Sequence, residues 1–172
     1  MIPPIEPLRR VHAALQAGGV VAALGGSGLL YSLGLVDTVR DWDLTTDAPF
    51  DQVKAALGDL PWRPSPTGDG SYATAHRINV TPDGADIDLM VSWAVRCDEG
   101  VVQFPTVVAG ALEGIPVGSP EVWAVAYRLI GRPQKAGLLD DYLRRHGYRS
   151  EIRDQLLAQP LPETARTAIQ AW

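Results

Sequence analysis

LGGSGLLYSLGLVDTVRDWDLTTD, residues Leu24 to Asp47, is the stretch around which the rest of the chain is organised. An apolar run, Val20 to Leu24, ends in Gly25-Gly26-Ser27. A short amphipathic segment, Gly28 to Leu35, follows, and a polar loop leads into Asp41-Trp42-Asp43. Residues two apart in a strand share a face, so Asp41 and Asp43 project together while Trp42 and Leu44 turn to the buried side. Two carboxylates held that close repel unless a cation lies between them. Mg²⁺, a hard ion that takes oxygen ligands, suits that place. Upstream, the glycines let backbone N–H groups approach a ligand closely, and a helix N-terminus beyond them favours an anion. Ser27 adds a hydroxyl to this turn or caps the helix. A phosphate cradle beside a metal-binding acidic pair points to a nucleotide and to phosphoryl-transfer chemistry.

Gly26-Ser27, a thirteen-residue gap, and Asp41-x-Asp43 together resemble the signature of the DNA polymerase β-like nucleotidyltransferase superfamily. Its small members include antibiotic nucleotidyltransferases and toxin–antitoxin-associated nucleotidyltransferases. The resemblance implies an α/β (α+β) fold with a central mixed β-sheet flanked by helices, and a third carboxylate on a later strand. The segment Ala85-Asp-Ile-Asp-Leu-Met-Val-Ser92 reads as that strand, the second of a hairpin turned at Pro82-Asp83-Gly84. Ile87-Asp88-Leu89 matches the family's apolar–Asp–apolar pattern, so Asp88 stands as the third acid. Asp86, on the same face, reads equally as a solvated residue at the strand start.

Further along, Ser119-Pro120-Glu121 opens a helix, with serine as cap and proline in the first turn. Ser119 to Leu143 resembles the family's closing helices, with Arg128-Leu129, Arg132-Pro-Gln-Lys135 and Asp140-Asp141 in the corresponding places. Arg128 stands where lysine is usual, and Ala136 where aspartate is common. The bland alternative for this basic cluster is a solvated helix face paired with Asp140 and Asp141. The resemblance spans about Val20 to Leu143, within a single domain of 172 residues closed by helices over 144–172.

The expected activity is metal-dependent transfer of a nucleoside monophosphate from an NTP, ATP first among them, to an acceptor hydroxyl. Asp41, Asp43 and Asp88 form the catalytic and metal-binding set, for two Mg²⁺ ions. Gly26, Ser27, Arg132 and Lys135 bind the nucleotide. A catalytically silent binding or regulatory protein of the antitoxin type, on the same fold, is the rival. Asp41-Trp-Asp-Leu-Thr45 also fits the Asp-x-Asp-x-Thr of haloacid-dehalogenase-like phosphatases, although that class sets its motif at the end of a strongly apolar strand. A Walker loop fails for want of Gly-Lys-Ser/Thr, and the three histidines, His12, His76 and His146, have no ligand spacing.

Composition narrows the partners. A net charge of −5 argues against general nucleic-acid backbone binding, which needs a basic face. Cys97 is the single cysteine, which excludes an internal disulfide and a thiolate metal centre. No signal-like or membrane-spanning run stands out, so a cytoplasmic protein with no membrane partner is expected; its partners are the nucleoside triphosphate and an unidentified acceptor, and oligomerisation stays open.

For the remaining elements, Ile5 to Ala17 is expected as an amphipathic helix, Val20 to Leu24 as a buried strand and Pro49 to Leu57 as a helix. Tyr72 to Thr81 is expected as a strand, with one or two more over Val101 to Leu112 and a short extended piece at 114–117. Arg63 to Ser71 is rich in turn formers and is expected to be an irregular, mobile loop. Two short helices broken at Pro160-Leu-Pro162 close the chain, packed on the back of the sheet.

Overall fold

The computed structural model describes residues 1–65 and 70–172. Its centre is a mixed seven-stranded sheet. In chain order the strands of that sheet are β1 (Ala23–Leu24), β2 (Trp42–Thr46), β3 (Trp62–Pro64), β4 (His76–Val80), β5 (Ile87–Val91), β8 (Val108–Leu112) and β9 (Ile115–Gly118); β6 (Ala94–Cys97) and β7 (Gly100–Gln103) form a separate hairpin. Across the sheet the order is β3-β4-β5-β2-β1-β9-β8. β2 runs antiparallel to β1 but parallel to β5, in the register Asp43 to Asp88. The first turn of the sequence motif and both acidic strands are therefore immediate neighbours.

Seven helices surround this sheet among the described residues: α1 (Glu6–Ala17), α2 (Gly26–Ser32), α3 (Phe50–Leu57), α4 (Pro120–Leu129), α5 (Pro133–His146), α6 (Ser150–Leu157) and α7 (Glu163–Gln170). α1 buries Leu8, Val11 and Leu15, spaced by three and four residues as a one-sided helix requires. The Trp42 indole donates to the Pro4 carbonyl at 3.1 Å, pinning the start of α1 beneath the acidic strand. On the other side Trp93, Phe104 and Trp123 pack ring on ring, with centroids 4.4 and 4.8 Å apart. Both faces of the centre are covered, and every residue of β5 is buried. Strands buried on both faces read as continuous apolar runs, which makes an aspartate at position 88 conspicuous.

Several elements differ from their expected limits for identifiable reasons. Only Ala23–Leu24 join the ladder, because the Val20 N–H bonds back to Leu15 and the Val21 carbonyl accepts from the Thr46 hydroxyl. α2 starts at Gly26 rather than Gly28 and ends before Leu35, where Gly34 at φ +70° and the Leu35 N–H to Leu30 bond close it. β4 begins only at His76, since residues 71–75 leave the sheet to pair with β6 through Ala73 and Arg96. Trp62 to Pro64, expected as the start of a loop, is an edge strand on β4, a place where proline is tolerated. The rest of the expected loop falls partly on 66–69, outside the described residues. α6 and α7 lean on α4, not on the back of the sheet.

Candidate functional site

A turn and an acid fit each other closely at the heart of the molecule. The Gly25 N–H donates to the Asp43 carbonyl at 2.8 Å. Gly26 has φ +56°, and a Cβ placed on it would lie 1.8 Å from Asp43 Oδ2. Any side chain at 26 would therefore collide with the carboxylate as well as strain the backbone. Gly25 is needed for a different reason: a Cβ there would lie 1.8 Å from the Trp123 ring. Ser27 is buried with its hydroxyl 3.4 Å from the Arg40 N–H and 3.5 Å from the Asp41 carbonyl. It ties the approach to β2 rather than capping α2, whose N-cap is Gly25 with no side-chain bond.

Asp43 and Asp88 occupy directly paired positions on neighbouring parallel strands, which lie about 4.8 Å apart. Asp41, just before β2, lines the same pocket, together with Gly26, Arg40, Arg77, Tyr127 and Arg132. Burial, then repulsion from Asp41 and Asp88, pushes the Asp43 carboxyl up to about 7. Each outer acid is held by an arginine. Arg77 Nε donates to Asp88 Oδ1 and Oδ2 at 3.1 and 2.8 Å, with Nη2 on Oδ2 as well. Arg40 donates to Asp41 Oδ2 from Nε at 3.2 Å and Nη2 at 3.0 Å. Tyr72 lies under the Arg77 guanidinium at 4.9 Å.

The basic cluster divides. Arg128 pairs with Asp140 and Arg144 with Asp141, as the solvated-face alternative expects. Arg132 and Lys135 do not; neither makes an ion pair among the described residues, and Arg132 lines the pocket. Lys135 stands outside the lining, with Nζ over the Tyr127 ring at 5.3 Å. Burial, with the nearby Arg132 charge, lowers its pKa. Asp86 is exposed and pairs with Arg63 at 2.8 Å. Sequence reasoning did not assign Tyr127 to the site and did not place Arg77 on Asp88. Arg77 was findable, because an antiparallel β4–β5 hairpin places it opposite Met90, on the face that carries Asp88.

The donors present suit a hard divalent ion, since all are carboxylate oxygens, and the mutual repulsion that raises Asp43 is what such an ion would relieve. With Asp41 and Asp88 drawn onto arginines, no three acidic, imidazole or thiol groups among the described residues converge on one metal position. The pocket's free volume, about 60 Å³, is also too small for a nucleotide. A larger cavity of about 490 Å³ lies beyond Trp93, but its one acid, Asp47, already accepts the Thr106 N–H at 2.8 Å. The haloacid-dehalogenase-like reading fails on position, because Asp41 precedes β2 and does not follow a strand.

No family model and no curated protein matches the sequence. Solved structures do. A chain from Thermotoga maritima, provisionally assigned as a nucleotidyltransferase, is 23% identical with a TM-score of 0.56, over 85% of this chain and 97% of its own. The antibiotic-resistance factor ANT(2″)-Ia, in its solution structure, is 16% identical with a TM-score of 0.59, over 96% of this chain and 94% of its own. Its crystal structure with adenylyl-2″-tobramycin gives 16% and 0.56, over 88% and 93%. At such identities the likeness is one of fold, and it is the fold expected from the sequence: a nucleotidyltransferase fold with a mixed central sheet. No helix among the described residues is long and apolar enough to cross a membrane.

Proposed function

We propose that the protein is a metal-dependent nucleotidyltransferase that moves a nucleoside monophosphate from an NTP, with ATP the first candidate, to an acceptor hydroxyl. The observation that carries this reading is the pairing of Asp43 with Asp88 on adjacent parallel strands, with Gly26 moulded onto Asp43. Asp41, Asp43 and Asp88 would hold two Mg²⁺ ions, which supply neutralisation of phosphate charge and ionisation of the acceptor hydroxyl. Asp88 would take the hydroxyl's proton once Arg77 leaves it. The backbone of Gly26 admits phosphate oxygens where a side chain could not fit, and Arg132 offers an unpaired cation to the departing pyrophosphate. Ser27 supports this turn from behind, and Lys135 adds positive charge from beyond Tyr127.

ANT(2″)-Ia, similar in fold and length, has been seen with an adenylylated aminoglycoside, so that class heads the acceptors to be tried. The decisive experiment is transfer of label from α-³²P-ATP and the other NTPs onto an aminoglycoside, a lincosamide-like drug, a protein hydroxyl and an RNA end. Transfer that needs Mg²⁺ and disappears in Asp88→Asn is the expected result. Tight ATP binding with no transfer to any acceptor, unchanged by EDTA, would favour the silent regulatory reading, in which Arg77 stays on Asp88 permanently.

A further inference from the structure

Four buried side-chain polar atoms have no hydrogen-bond partner among the described residues: Arg9 Nε, Arg153 Nε, Trp93 Nε1 and Tyr127 Oη. The two arginines bond through other nitrogens, Arg9 to the Glu113 carbonyl and Arg153 to the Tyr148 hydroxyl. Trp93 and Tyr127 have no second donor to use. Buried donors are seldom left unpaired in a folded protein, and each exception calls for an occupant. Both exceptions here line one wall of the carboxylate pocket.

Their rings are held firmly. Trp93 is 2% exposed and packs between Phe104 and Trp123; Tyr127 is 1% exposed, with its ring centroid 5.4 Å from that of Trp123. Neither donor can easily turn away to find water. The surroundings of Tyr127 indicate the charge of the missing acceptor. Lys135 stands over its ring, and Arg132, which makes no ion pair among the described residues, lines the same pocket. Burial keeps the phenol protonated, hence a donor, at neutral pH. Asp43 and Asp41 act on the same phenol, so the charge around it is mixed; a rigid donor with Arg132 and Lys135 at hand suits an anionic oxygen brought in between.

We infer that the Tyr127 hydroxyl donates a hydrogen bond to a phosphate oxygen of the bound nucleotide. The inference rests on the nucleotidyltransferase reading and adds a binding residue that neither the motif nor the basic cluster indicated. Its neighbour Arg128, which stands where the family usually has lysine, pairs with Asp140 instead.

Tyr127→Phe tests this cleanly, because it keeps the ring, its packing and the Lys135 contact while deleting one oxygen. The probes, with Mg²⁺ present, are an ATP analogue with a methylene bridge between the α- and β-phosphates, inorganic tripolyphosphate, and adenosine. Calorimetric titration should show about ten-fold weaker binding of the first two and no change for adenosine. Melting of the free variant should stay level or rise, since an unpartnered buried hydroxyl does not help the fold. Analogue affinity within about two-fold of wild type overturns the inference and leaves the nucleotidyltransferase reading standing. So does an equal loss for adenosine, or a fall in melting temperature showing that the hydroxyl is structural. Wild-type protein that binds neither analogue nor tripolyphosphate overturns both.

Discussion

At Asp43 the molecule holds a group that would rather be neutral. Its carboxyl is pushed up to about 7 by burial and by the charges of Asp41 and Asp88, against an ordinary value near 4 for the unfolded chain. Between those two values the folded protein binds a proton that the unfolded chain does not. The contribution is therefore fully present below about pH 4 and is lost as pH rises through about 7. Asn at this position has nearly the same volume and no charge to lose. In EDTA, Asp43→Asn should melt at a higher temperature than wild type, and the gap should widen from pH 4 to about pH 7 and then level. Parallel melting curves across that range would show that Asp43 carries no such strain. The same residue explains what the sequence could and could not display. Spacing put Asp41 and Asp43 on one face and the glycine pair marked the turn, because strand periodicity and backbone freedom are local properties; the choice of Asp88 over Asp86 rested on the family resemblance. The hairpin puts Arg77 on the face of Asp88, but that its guanidinium closes on Asp88, and that Arg40 folds back onto its neighbour Asp41, are rotamer choices that no sequence pattern encodes.

Among the elements, α4 shows how a buried charge can serve the framework and not the chemistry. Its N-cap Ser119 accepts the Val122 N–H at 3.3 Å, as the Ser-Pro-Glu pattern predicts. Glu121, 2% exposed, accepts the Arg149 N–H at 2.9 Å and faces the Arg149 guanidinium, so it joins the start of α4 to the start of α6. Burial pushes this carboxyl up, yet hydrogen bonds from Ser119 and Arg149 outweigh it and leave its pKa below the usual range. Such a group stabilises above the ordinary glutamate value and loses its contribution as pH falls through the lowered one. Glu121→Ala should cost about 2–3 kcal/mol, the lower end for breaking a buried pair because Arg149 is a third exposed. For a chain of this length that is a fall in melting temperature of roughly 5–10 °C. Nucleotide affinity of the folded fraction should stay unchanged, and a selective loss of affinity without loss of stability would place Glu121 in the site instead. Other elements were less legible. The edge strand at Trp62–Pro64 looks like a loop because it is short and contains proline, and β6 escaped notice because its pairing with β7 depends on the turn at Asp98-Glu99, not on alternation within β6. Tyr127 lay hidden in a helix whose apolar pattern gave no sign that its hydroxyl would go unpaired.

Over the whole molecule the charge balance makes a stricter demand than any one residue. The chain carries a net −5, and its candidate site gathers three carboxylates around the pocket proposed to take a polyanion. Arg40 and Arg77 answer two of those charges. A triphosphate arriving alone would meet Asp43 with Arg132 as the one unpaired cation among the pocket-lining residues. Divalent ions accompanying the nucleotide reverse that balance, since they are the largest local charges such a site can hold. Ligands that bind only the folded state stabilise it by mass action, by about 2.7 kcal/mol when present at a hundred times the dissociation constant. For this chain length that corresponds to a rise in melting temperature of roughly 5–10 °C. Mg²⁺ and ATP together should produce such a rise, each alone much less, and Asp43→Asn should lose most of it while folding normally. A shift that ATP gives equally well in EDTA would mean that the arginines, not a metal, receive the phosphates, and the carboxylate cluster would then need another purpose.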